Sequence, residues 1–370
     1  MKLVIFGLTI SSSWGNGHAT LWRGLCRSLV ARSHEIHFFE RDVPYYAHHR
    51  DLTEIPGGRL YLYPDWEDIR RIAETELADA DVGMVTSYCP DGRAAADLVL
   101  GSPAACRCFY DLDTGVTLNR LRSGDQVEYI GPRGFSDFDL VLSYTGGKAL
   151  IELQSRLGAR RVAPLYGHVD PEYHHPAPPL DRFLADLSYL GTYAEDRQAA
   201  LQAFFIEPAR RLPQRRFMLG GALYPQSFPW TDNIYFVRHL PPGEHPAFYC
   251  SSKLTLNVTR KPMAEFGYCP SGRLFEASAC GVPILSDWFE GLDAFFEPGS
   301  EILVCSSTEQ AIDAIQTSNE ELSKIAQRGR ERTLACHTSD IRAAELEEVL
   351  AAAMSRSPLN SQGALQSLEA

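Results

Sequence analysis

Short apolar segments alternate with amphipathic segments along most of this chain, and no other feature constrains the fold as strongly. An apolar run at 3–10 is followed by a loop rich in Ser and Gly, a helical pattern at 19–31 and a second apolar run at 34–40. A strand, a loop, a helix and another strand in this order are typical of a parallel β-sheet covered by helices. The pattern therefore predicts an α/β fold.

The alternation continues to about residue 354 in two series. In the first series we expect further strands at 60–63, 82–86, 107–110, 140–143 and 161–164, and helices at 66–78, 93–100 and 147–157. In the second we expect strands at 187–190, 216–219, 234–237, 254–258, 282–285 and 301–305, and helices at 195–205, 308–317, 319–336 and 341–354. Each series is long enough to form one domain.

A proline-rich segment separates the two series. Five prolines lie between positions 164 and 181, and proline interrupts both helices and sheet ladders. We therefore predict a first domain at 1–165, a second at 166–354 and a disordered tail at 355–370. The adjacent His174 and His175 lie in this segment and are expected to be part of the linker, not ligands.

The composition is that of a soluble globular protein with reduced cysteines. The net charge of -12 argues against a nucleic-acid partner, because a phosphate backbone requires a basic surface. The nine cysteines include no Cys-x-x-Cys pair, so neither a disulfide framework nor a zinc site of that type is expected. These observations favour a cytoplasmic location.

The first helical segment carries Trp22 beside Arg23 and Arg27. Packing of this helix on its sheet is the ordinary interpretation. A weak contact with the inner face of a membrane is the alternative. No apolar run is long enough to span a bilayer.

Residues 271–287 contain one side chain that does not fit its surroundings. Ser271 is suited to begin a helix by capping it, and Gly281 and Pro283 end it. Glu276 lies among apolar residues on that helix, and an unpaired buried charge is costly. Either the carboxylate is placed by the helix dipole, or it faces a ligand that carries hydroxyl groups.

Polar residues also follow other strands of the second series, where parallel sheets bind ligands. Gly191 and Thr192 follow one strand and are a candidate phosphate loop. Arg260 and Lys261 follow another, and adjacent cations suit a diphosphate. Three more candidates shortly precede Glu276, namely Tyr268, Ser271 and Arg273.

In the first series, the loop after the first strand contains Gly15, Asn16, Gly17 and His18. The two glycines permit backbone conformations that other residues avoid. A histidine at a strand end could serve as a catalytic base or contact an acceptor, or it could bond only to backbone. The loop lacks the full Gly-x-Gly-x-x-Gly pattern of dinucleotide sites.

Two further loops of the first series carry candidates. Tyr88 and Asp91 follow the strand at 82–86, and Asp91 could be a helix cap instead of a functional acid. Asp111 and Asp113 follow the next strand. Their i, i+2 spacing could hold a divalent metal, supply a base or form a turn.

The second series resembles a known family. Residues 272–277 (Gly-Arg-Leu-Phe-Glu-Ala) and 280–283 (Cys-Gly-Val-Pro) resemble the C-terminal donor-site signature of GT-B glycosyltransferases, and 289–302 continue it. Residues 267–276 fit the Gly-Tyr-x-Pro-Ser-x-Arg-x-x-Glu pattern of CgeB-like members. The resemblance covers roughly residues 250–305, and it is at the level of the fold elsewhere.

The resemblance implies two doubly wound Rossmann-like domains facing each other across a cleft. It also implies that Glu276 binds the ribose hydroxyls of a nucleotide-sugar and that Arg260 and Lys261 bind its diphosphate. Tyr268 stands where many relatives have a second Glu, which leaves the retaining or inverting outcome open. Such enzymes usually need no metal, so neither a metal nor a cofactor is expected.

Together these inferences predict a metal-independent glycosyltransferase with a UDP-sugar donor and an unidentified acceptor. The donor site would comprise Glu276, Arg260, Lys261, Gly191, Thr192, Tyr268, Ser271 and Arg273. The acceptor side would comprise Gly15, Asn16, Gly17 and Tyr88, with His18, Asp113 and Asp91 as catalytic candidates. Two alternatives remain, a nucleotide-sugar epimerase on the same fold and a non-catalytic nucleotide-sugar-binding protein.

Overall fold

The computed structural model describes residues 1–355, which form two compact units. The first unit contains residues 1–166 together with the helix Ser339–Met354, and the second contains residues 167–338. Apart from Ser355, the tail predicted at 355–370 lies outside the described residues. Within residues 1–355, no helix combines the length and apolar character needed to cross a membrane.

The first unit is built on a seven-stranded sheet whose strands are all parallel. Its strands are β1 Lys2–Gly7, β2 Glu35–Arg41, β3 Arg59–Tyr63, β4 Val82–Thr86, β5 Cys106–Asp111, β6 Leu140–Ser143 and β7 Val162–Pro164. Their order in the sheet is β3-β2-β1-β4-β5-β6-β7. The chain reverses its direction of travel across the sheet between β1 and β4, and such a switch point opens a crevice at the carboxyl ends of the strands.

Helices connect these strands. They are α1 His18–Ala31, α2 Pro44–Ala47, α3 Trp66–Leu77, α4 Gly92–Gly101, α5 Thr114–Arg122 and α6 Lys148–Leu157. Trp22 on α1 is 2% exposed and packs edge-on against Phe38 and Tyr110. It is therefore a core residue and does not form an exposed apolar stripe.

The second unit contains a six-stranded sheet, again fully parallel. Its strands are β8 Leu187–Leu190, β9 Phe217–Gly221, β10 Ile234–Arg238, β11 Thr255–Asn257, β12 Ile284–Ser286 and β13 Leu303–Val304. They are arranged as β10-β9-β8-β11-β12-β13. The switch point of this sheet lies between β8 and β11.

The helices of the second unit complete the fold. They are α7 Gln198–Leu201, α8 Glu207–Arg211, α9 His245–Cys250, α10 Lys261–Ala264, α11 Gly272–Ala279, α12 Thr308–Gln316 and α13 Asn319–Cys336. The helix predicted at 195–205 is a composite that runs to residue 211, with a 3-10 turn at Glu195–Arg197 before α7 and a π-helical turn at Gln202–Ile206 between α7 and α8. The remaining helix of the chain, Ser339–Met354, is α14.

Helix α14 belongs to the first unit, although the sequence placed it in the second domain. It packs on α1, and Leu346 and Leu350 are buried. The Arg32 guanidinium donates to both carboxylate oxygens of Glu347, at 2.9 and 2.7 Å. The hydrophobic contact and the bidentate ion pair explain why this helix closes the first unit.

The predicted strands are all present, with ends that differ by up to three residues. Several helices were not predicted, and α5 is the longest of them. Its residues include Gly115 and the β-branched Thr114, Val116 and Thr117, which have low helix propensity. The proline-rich segment is also not a free linker, because residues 167–181 pack within the second unit.

Candidate functional site

The carboxyl ends of β8 and β11 bring the predicted donor residues together in the second unit. Gly191 directly follows β8, and Asn257 is the last residue of β11. These neighbouring strands pair in parallel, so the loops after them leave the sheet at the same edge.

Asn257 connects the residues around it. Its side-chain oxygen accepts hydrogen bonds from the Ser271 hydroxyl and the Arg273 guanidinium, both at 2.7 Å. Its amide nitrogen donates to Ser286 at 2.9 Å. Ser271 thus holds Asn257 and makes no cap bond to the helix, which corrects the cap predicted for it.

The loop after β8 lies against both Arg273 and the neighbouring strand end. Arg273 donates to the carbonyl of Leu190 at 2.5 Å and lies over the Tyr189 ring. A Cβ at Gly191 would lie 2.9 Å from the Arg273 guanidinium. A side chain at position 191 would therefore collide with this fixed cation.

Helix α11 presents Glu276 among apolar neighbours, as the sequence predicted. Leu274, Phe275 and Ala277 are fully buried, and the Glu276 side chain is only 15% exposed. The helix ends at Ala279 with Cys280 as its C-cap, and Gly281 follows with a φ of 75°, the left-handed conformation expected of a glycine stop.

Two histidines and a tyrosine surround the Glu276 carboxylate. His174 Nε2 lies 4.0 Å from Oε1, and His245 Nδ1 lies 4.0 Å from Oε2. The Tyr249 hydroxyl donates to Oε2 at 3.3 Å. No sequence pattern predicts this group, because its residues are far apart in the chain. His174, predicted to be part of a linker, is 4% exposed.

The protonation states of this cluster follow from burial and charge. Burial lowers the pKa of His245 to about 4 and also lowers the pKa of His174, in both cases against the attraction of Glu276. Burial acts to raise the pKa of Glu276, but His174, His245 and Arg273, with the Tyr249 hydrogen bond, lower it below its ordinary value. The pKa values of all three groups thus lie below their ordinary values, and the groups titrate as one coupled cluster.

The remaining donor candidates lie on the loops after β8 and β11. Arg260 donates from Nε and Nη2 to Asp196, at 3.0 and 2.9 Å. Lys261 is exposed at the start of α10, and Thr192 accepts through its carbonyl from Arg197 at 3.1 Å. Tyr268 has a φ of 45° and donates its backbone N–H to Glu290. The structure shows the Tyr268 backbone held in a turn.

In the first unit, the buried Glu40 shapes the loop that follows β1. Its carboxylate accepts from the backbone N–H groups of Ile10 and Ser11, at 2.8 and 2.9 Å, and from the hydroxyls of Thr9 and Ser11. Glu40 is 1% exposed, and its hydrogen bonds hold this loop in place. No sequence motif distinguished it, because it lies on a separate strand.

The rest of this loop leads into α1. Gly15 has a φ of 60°, so it needs the freedom of glycine, whereas Gly17 has a φ of -71° that any residue can adopt. This corrects the special role expected for Gly17. Asn16 accepts from the His18 backbone N–H at 3.0 Å and fixes the start of the helix.

The structure brings together His18 and Asp113, two of the three catalytic candidates. His18 Nε2 lies 3.3 Å from Asp113 Oδ2, and both side chains are partly exposed. Tyr88 lies nearby, with its ring centre 6.4 Å from that of His18, and has a φ of 61°. These residues follow β1, β4 and β5, so they meet at the switch point of the first sheet.

Asp111 lies behind this pair. It is fully buried, and burial raises its pKa to about 7 although Thr117 and the Asp113 backbone donate to it. Its Oδ2 atom makes no hydrogen bond to any of residues 1–355. Asp111 therefore supports the loop from the interior.

The third candidate, Asp91, is engaged elsewhere. Its two oxygens accept from Arg41 at 2.9 Å and from the Tyr63 hydroxyl at 3.1 Å. It makes no cap bond to α4. The structure thus gives Asp91 partners that join β2, β3 and the loop after β4.

Comparison with known proteins agrees with this architecture. Residues 197–348 match the model of a protein family described as glycosyl transferase-like. No curated protein sequence matches the chain.

Solved structures of GT-B glycosyltransferases share the fold. Sucrose-phosphate synthase from Thermosynechococcus elongatus is 14% identical, with a TM-score of 0.69 over 96% of this chain and 100% of that chain. Anabaena HepE in complex with UDP-glucose is 12% identical, with a TM-score of 0.66 over 95% and 100%. An α-glucosyltransferase in complex with UDP-glucose and DNA is 11% identical, with a TM-score of 0.72 over 95% and 99%. The chain therefore has a GT-B type fold of two parallel-sheet, Rossmann-like domains.

Proposed function

We propose that this protein is a glycosyltransferase that takes a sugar from a UDP-linked donor and needs no metal for the transfer. The observation that carries the proposal is the largely buried Glu276 carboxylate, which lies beside the Asn257–Arg273 network at the switch point of the second sheet. The match at 197–348 includes all of these residues. Two similar folds, HepE and the α-glucosyltransferase, have been solved with UDP-glucose.

In this proposal Glu276 accepts hydrogen bonds from the ribose hydroxyls. A hydrogen bond to a charged group contributes about 1.5–3 kcal/mol, more than one between neutral groups. The carboxylate is already desolvated and needs no further ordering before it binds. Gly191 lets the nucleotide approach the strand end, where a side chain would collide with Arg273.

Cations beside the same strand ends stabilise the leaving group. When the bond to the sugar breaks, negative charge develops on the nucleoside diphosphate, and fixed cations lower the energy of that state. Arg273 is held in place by Asn257 and the Leu190 carbonyl. Arg260 and Lys261 supply two more cations. When the nucleotide binds, Arg260 gives up part of its ion pair with Asp196 and contacts the phosphate instead.

The acceptor side of the reaction is assigned to the first unit. The pair of His18 and Asp113 takes the proton from the acceptor hydroxyl, since an imidazole supported by a carboxylate is an effective base. Gly15, Asn16 and Tyr88 form the surrounding wall. Asp91 is not included, because Arg41 and Tyr63 occupy its carboxylate.

Calorimetric titration of UDP into the protein tests the donor site. Glu276→Gln keeps the shape of the side chain but removes its charge, and it should weaken UDP binding by roughly 10–150-fold. Glu265→Gln is the matched control, because Glu265 is an exposed acid of the same unit and should bind UDP as the unchanged protein does. Equal UDP affinity in Glu276→Gln and Glu265→Gln would refute the assignment.

Product analysis separates this proposal from its alternatives. A transferase produces UDP and a glycosylated acceptor, an epimerase converts the donor without an acceptor, and a binding protein leaves the donor unchanged. Incubation of the protein with UDP-sugars and a panel of hydroxylated acceptors should yield UDP only in proportion to the new glycoside.

A further inference from the structure

Three side chains of the types that bind transition metals converge in the second unit. His174 comes from the segment before β8, His245 begins α9 and Glu276 lies on α11. Each offers one ligand atom, and these atoms lie within 4.8 Å of one another. Within residues 1–355 this is the only such group of three or more His, Cys, Asp or Glu residues.

The tautomer of His245 leaves a lone pair facing the carboxylate. Its Nε2 atom lies 3.2 Å from the Leu240 carbonyl oxygen, which can only accept, so Nε2 carries the proton. In a neutral imidazole the other nitrogen is then an acceptor. That atom, Nδ1, faces Oε2 of Glu276 at 4.0 Å, so two acceptors point at the same space.

His174 adds a second nitrogen to that space. Its Nε2 atom lies 4.0 Å from Oε1 of Glu276, and the residue is 4% exposed. Neither of its ring nitrogens forms a hydrogen bond with any of residues 1–355. A buried polar group without a partner is costly, so a ligand that satisfies it is favoured.

We propose that His174, His245 and Glu276 form a binding site for a divalent transition-metal ion of the zinc type. Two imidazole nitrogens and one carboxylate are a zinc ligand set, with the fourth position open to water or another ligand. Metal–ligand bonds of about 2.0–2.1 Å place tetrahedral ligand atoms roughly 3.4 Å apart. The ligand atoms now lie 4.0 Å apart in the two His–Glu pairs and within 4.8 Å overall, so metal binding requires the side chains to move closer.

The groups behind the ligands support this assignment. A histidine that binds a metal usually donates its other N–H to a carbonyl or carboxylate, as His245 does to Leu240. The Tyr249 hydroxyl bonds to the Glu276 carboxylate and orients it.

The metal site has a consequence that rests on the proposed function. The carboxylate that would bind zinc is the one assigned to the ribose hydroxyls of the donor. A bound metal and a bound nucleotide would therefore exclude one another, so zinc would act as an inhibitor of donor binding.

Zinc titration of the full-length, untagged protein tests the site after treatment with a chelator. Calorimetry should show one zinc per chain, and cobalt(II) should give the visible absorption bands of a tetrahedral site. Changing a residue that only hydrogen-bonds to a metal ligand typically weakens metal binding by roughly 10–100-fold. His174→Gln and His245→Gln remove a ligand itself, so each should weaken zinc binding by more than that. His175→Gln is the matched control, because the neighbouring His175 is exposed and lies outside the cluster.

A second titration separates this proposal from the function proposed above. Uridine carries the ribose but no phosphate that would itself bind zinc, and zinc should weaken its binding in the unchanged protein and not in His174→Gln. If uridine and UDP fail to bind but zinc binds as expected, the metal site stands and the donor assignment fails.

Three results would overturn the metal site. They are the absence of stoichiometric zinc binding, equal zinc affinity in His174→Gln and His175→Gln, and loss of uridine affinity in the histidine variants without zinc binding in the unchanged protein. The last result would mean that the imidazoles bind ribose hydroxyls instead. Thermal unfolding of each variant checks that it is folded.

Discussion

At the scale of single residues, His18 and Asp113 are the side chains on which turnover should depend most. His18 Nε2 and Asp113 Oδ2 lie 3.3 Å apart, and both side chains are partly exposed. His18→Ala should reduce kcat by about 10²–10⁴-fold, because general base catalysis typically contributes that much. KM for the donor should change little, since His18 belongs to the other unit.

Steady-state kinetics with varied donor concentration measures this separation. His48→Ala is the control, because His48 is an exposed histidine of the same unit. If His18→Ala retains full kcat, or loses donor affinity while kcat is unchanged, the role assigned to His18 is wrong.

Asp111 should make the stability of the protein depend on pH. Burial raises its pKa to about 7 in the folded state, so between about pH 4 and pH 7 the folded state binds more protons than the unfolded state. Stability is therefore present at the acidic end of this window and is lost as the pH rises through 7. The loss from this one group is at most about 4 kcal/mol.

Asp111→Asn removes the titrating group. The variant should match the unchanged protein near pH 4.5 and have a higher Tm than the unchanged protein at pH 8, measured by calorimetry. Asp125→Asn, at an exposed position, should leave the pH dependence as it is. An identical pH profile for Asp111→Asn and the unchanged protein would contradict this account.

Sequence alone predicted several of the residues that the structure brings together at this scale. Glu276 was found because a carboxylate in an apolar helix is unusual, and the structure confirms that it is largely buried. His174, His245 and Glu40 could not be found in the same way, because each acts through contacts with residues distant in sequence. An isolated histidine or glutamate carries no local signal of such a contact.

At the scale of elements, the ends of β8 and β9 approach each other closely. Gly221 has a φ of 149°, and a Cβ there would lie 2.0 Å from the carbonyl oxygen of Gly191. Gly221→Ala should destabilise the protein by at least about 1–3 kcal/mol, because backbone atoms cannot move aside as a side chain can. It should also displace Gly191 and weaken UDP binding.

Urea unfolding and UDP titration measure these two effects. Gly243→Ala is the control, because a Cβ at Gly243 would meet no atom within 4 Å. Should Gly221→Ala prove as stable as Gly243→Ala, the close approach of the two strands would be disproved.

Elements were predicted well where a strong pattern marks them. The buried strands are short apolar runs bounded by polar residues, and this signal is local. Helix α5 was missed because its first turns contain glycine and β-branched residues, so only the burial of residues such as Leu118 in the folded protein makes it helical. The sequence predicted a helix at 195–205, but it did not predict the composite helix that continues to residue 211. A π-helical turn such as the one in this helix has no sequence signature.

At the scale of the whole molecule, each unit has its own core. Leu350 on α14 is fully buried in the first unit, and Leu322 on α13 is 2% exposed in the second. Leu350→Ala should destabilise the first unit by about 2–5 kcal/mol, and Leu322→Ala should do the same to the second. The two variants thus serve as controls for one another.

Hydrogen exchange with mass spectrometry locates each effect. Leu350→Ala should accelerate exchange in strands β1 to β7 and leave β8 to β13 unchanged, and Leu322→Ala should give the opposite pattern. Faster exchange of the second sheet in Leu350→Ala would show that α14 belongs with the second unit, as the sequence suggested.

The return of the chain to its first unit governs the order in which a newly made polypeptide can mature. Residues 1–166 precede α14 in the chain, and until α14 has been made they cannot bury the surface of α1 that it covers. The first unit can therefore reach its native state only after all of residues 167–338, the second unit, have been synthesised.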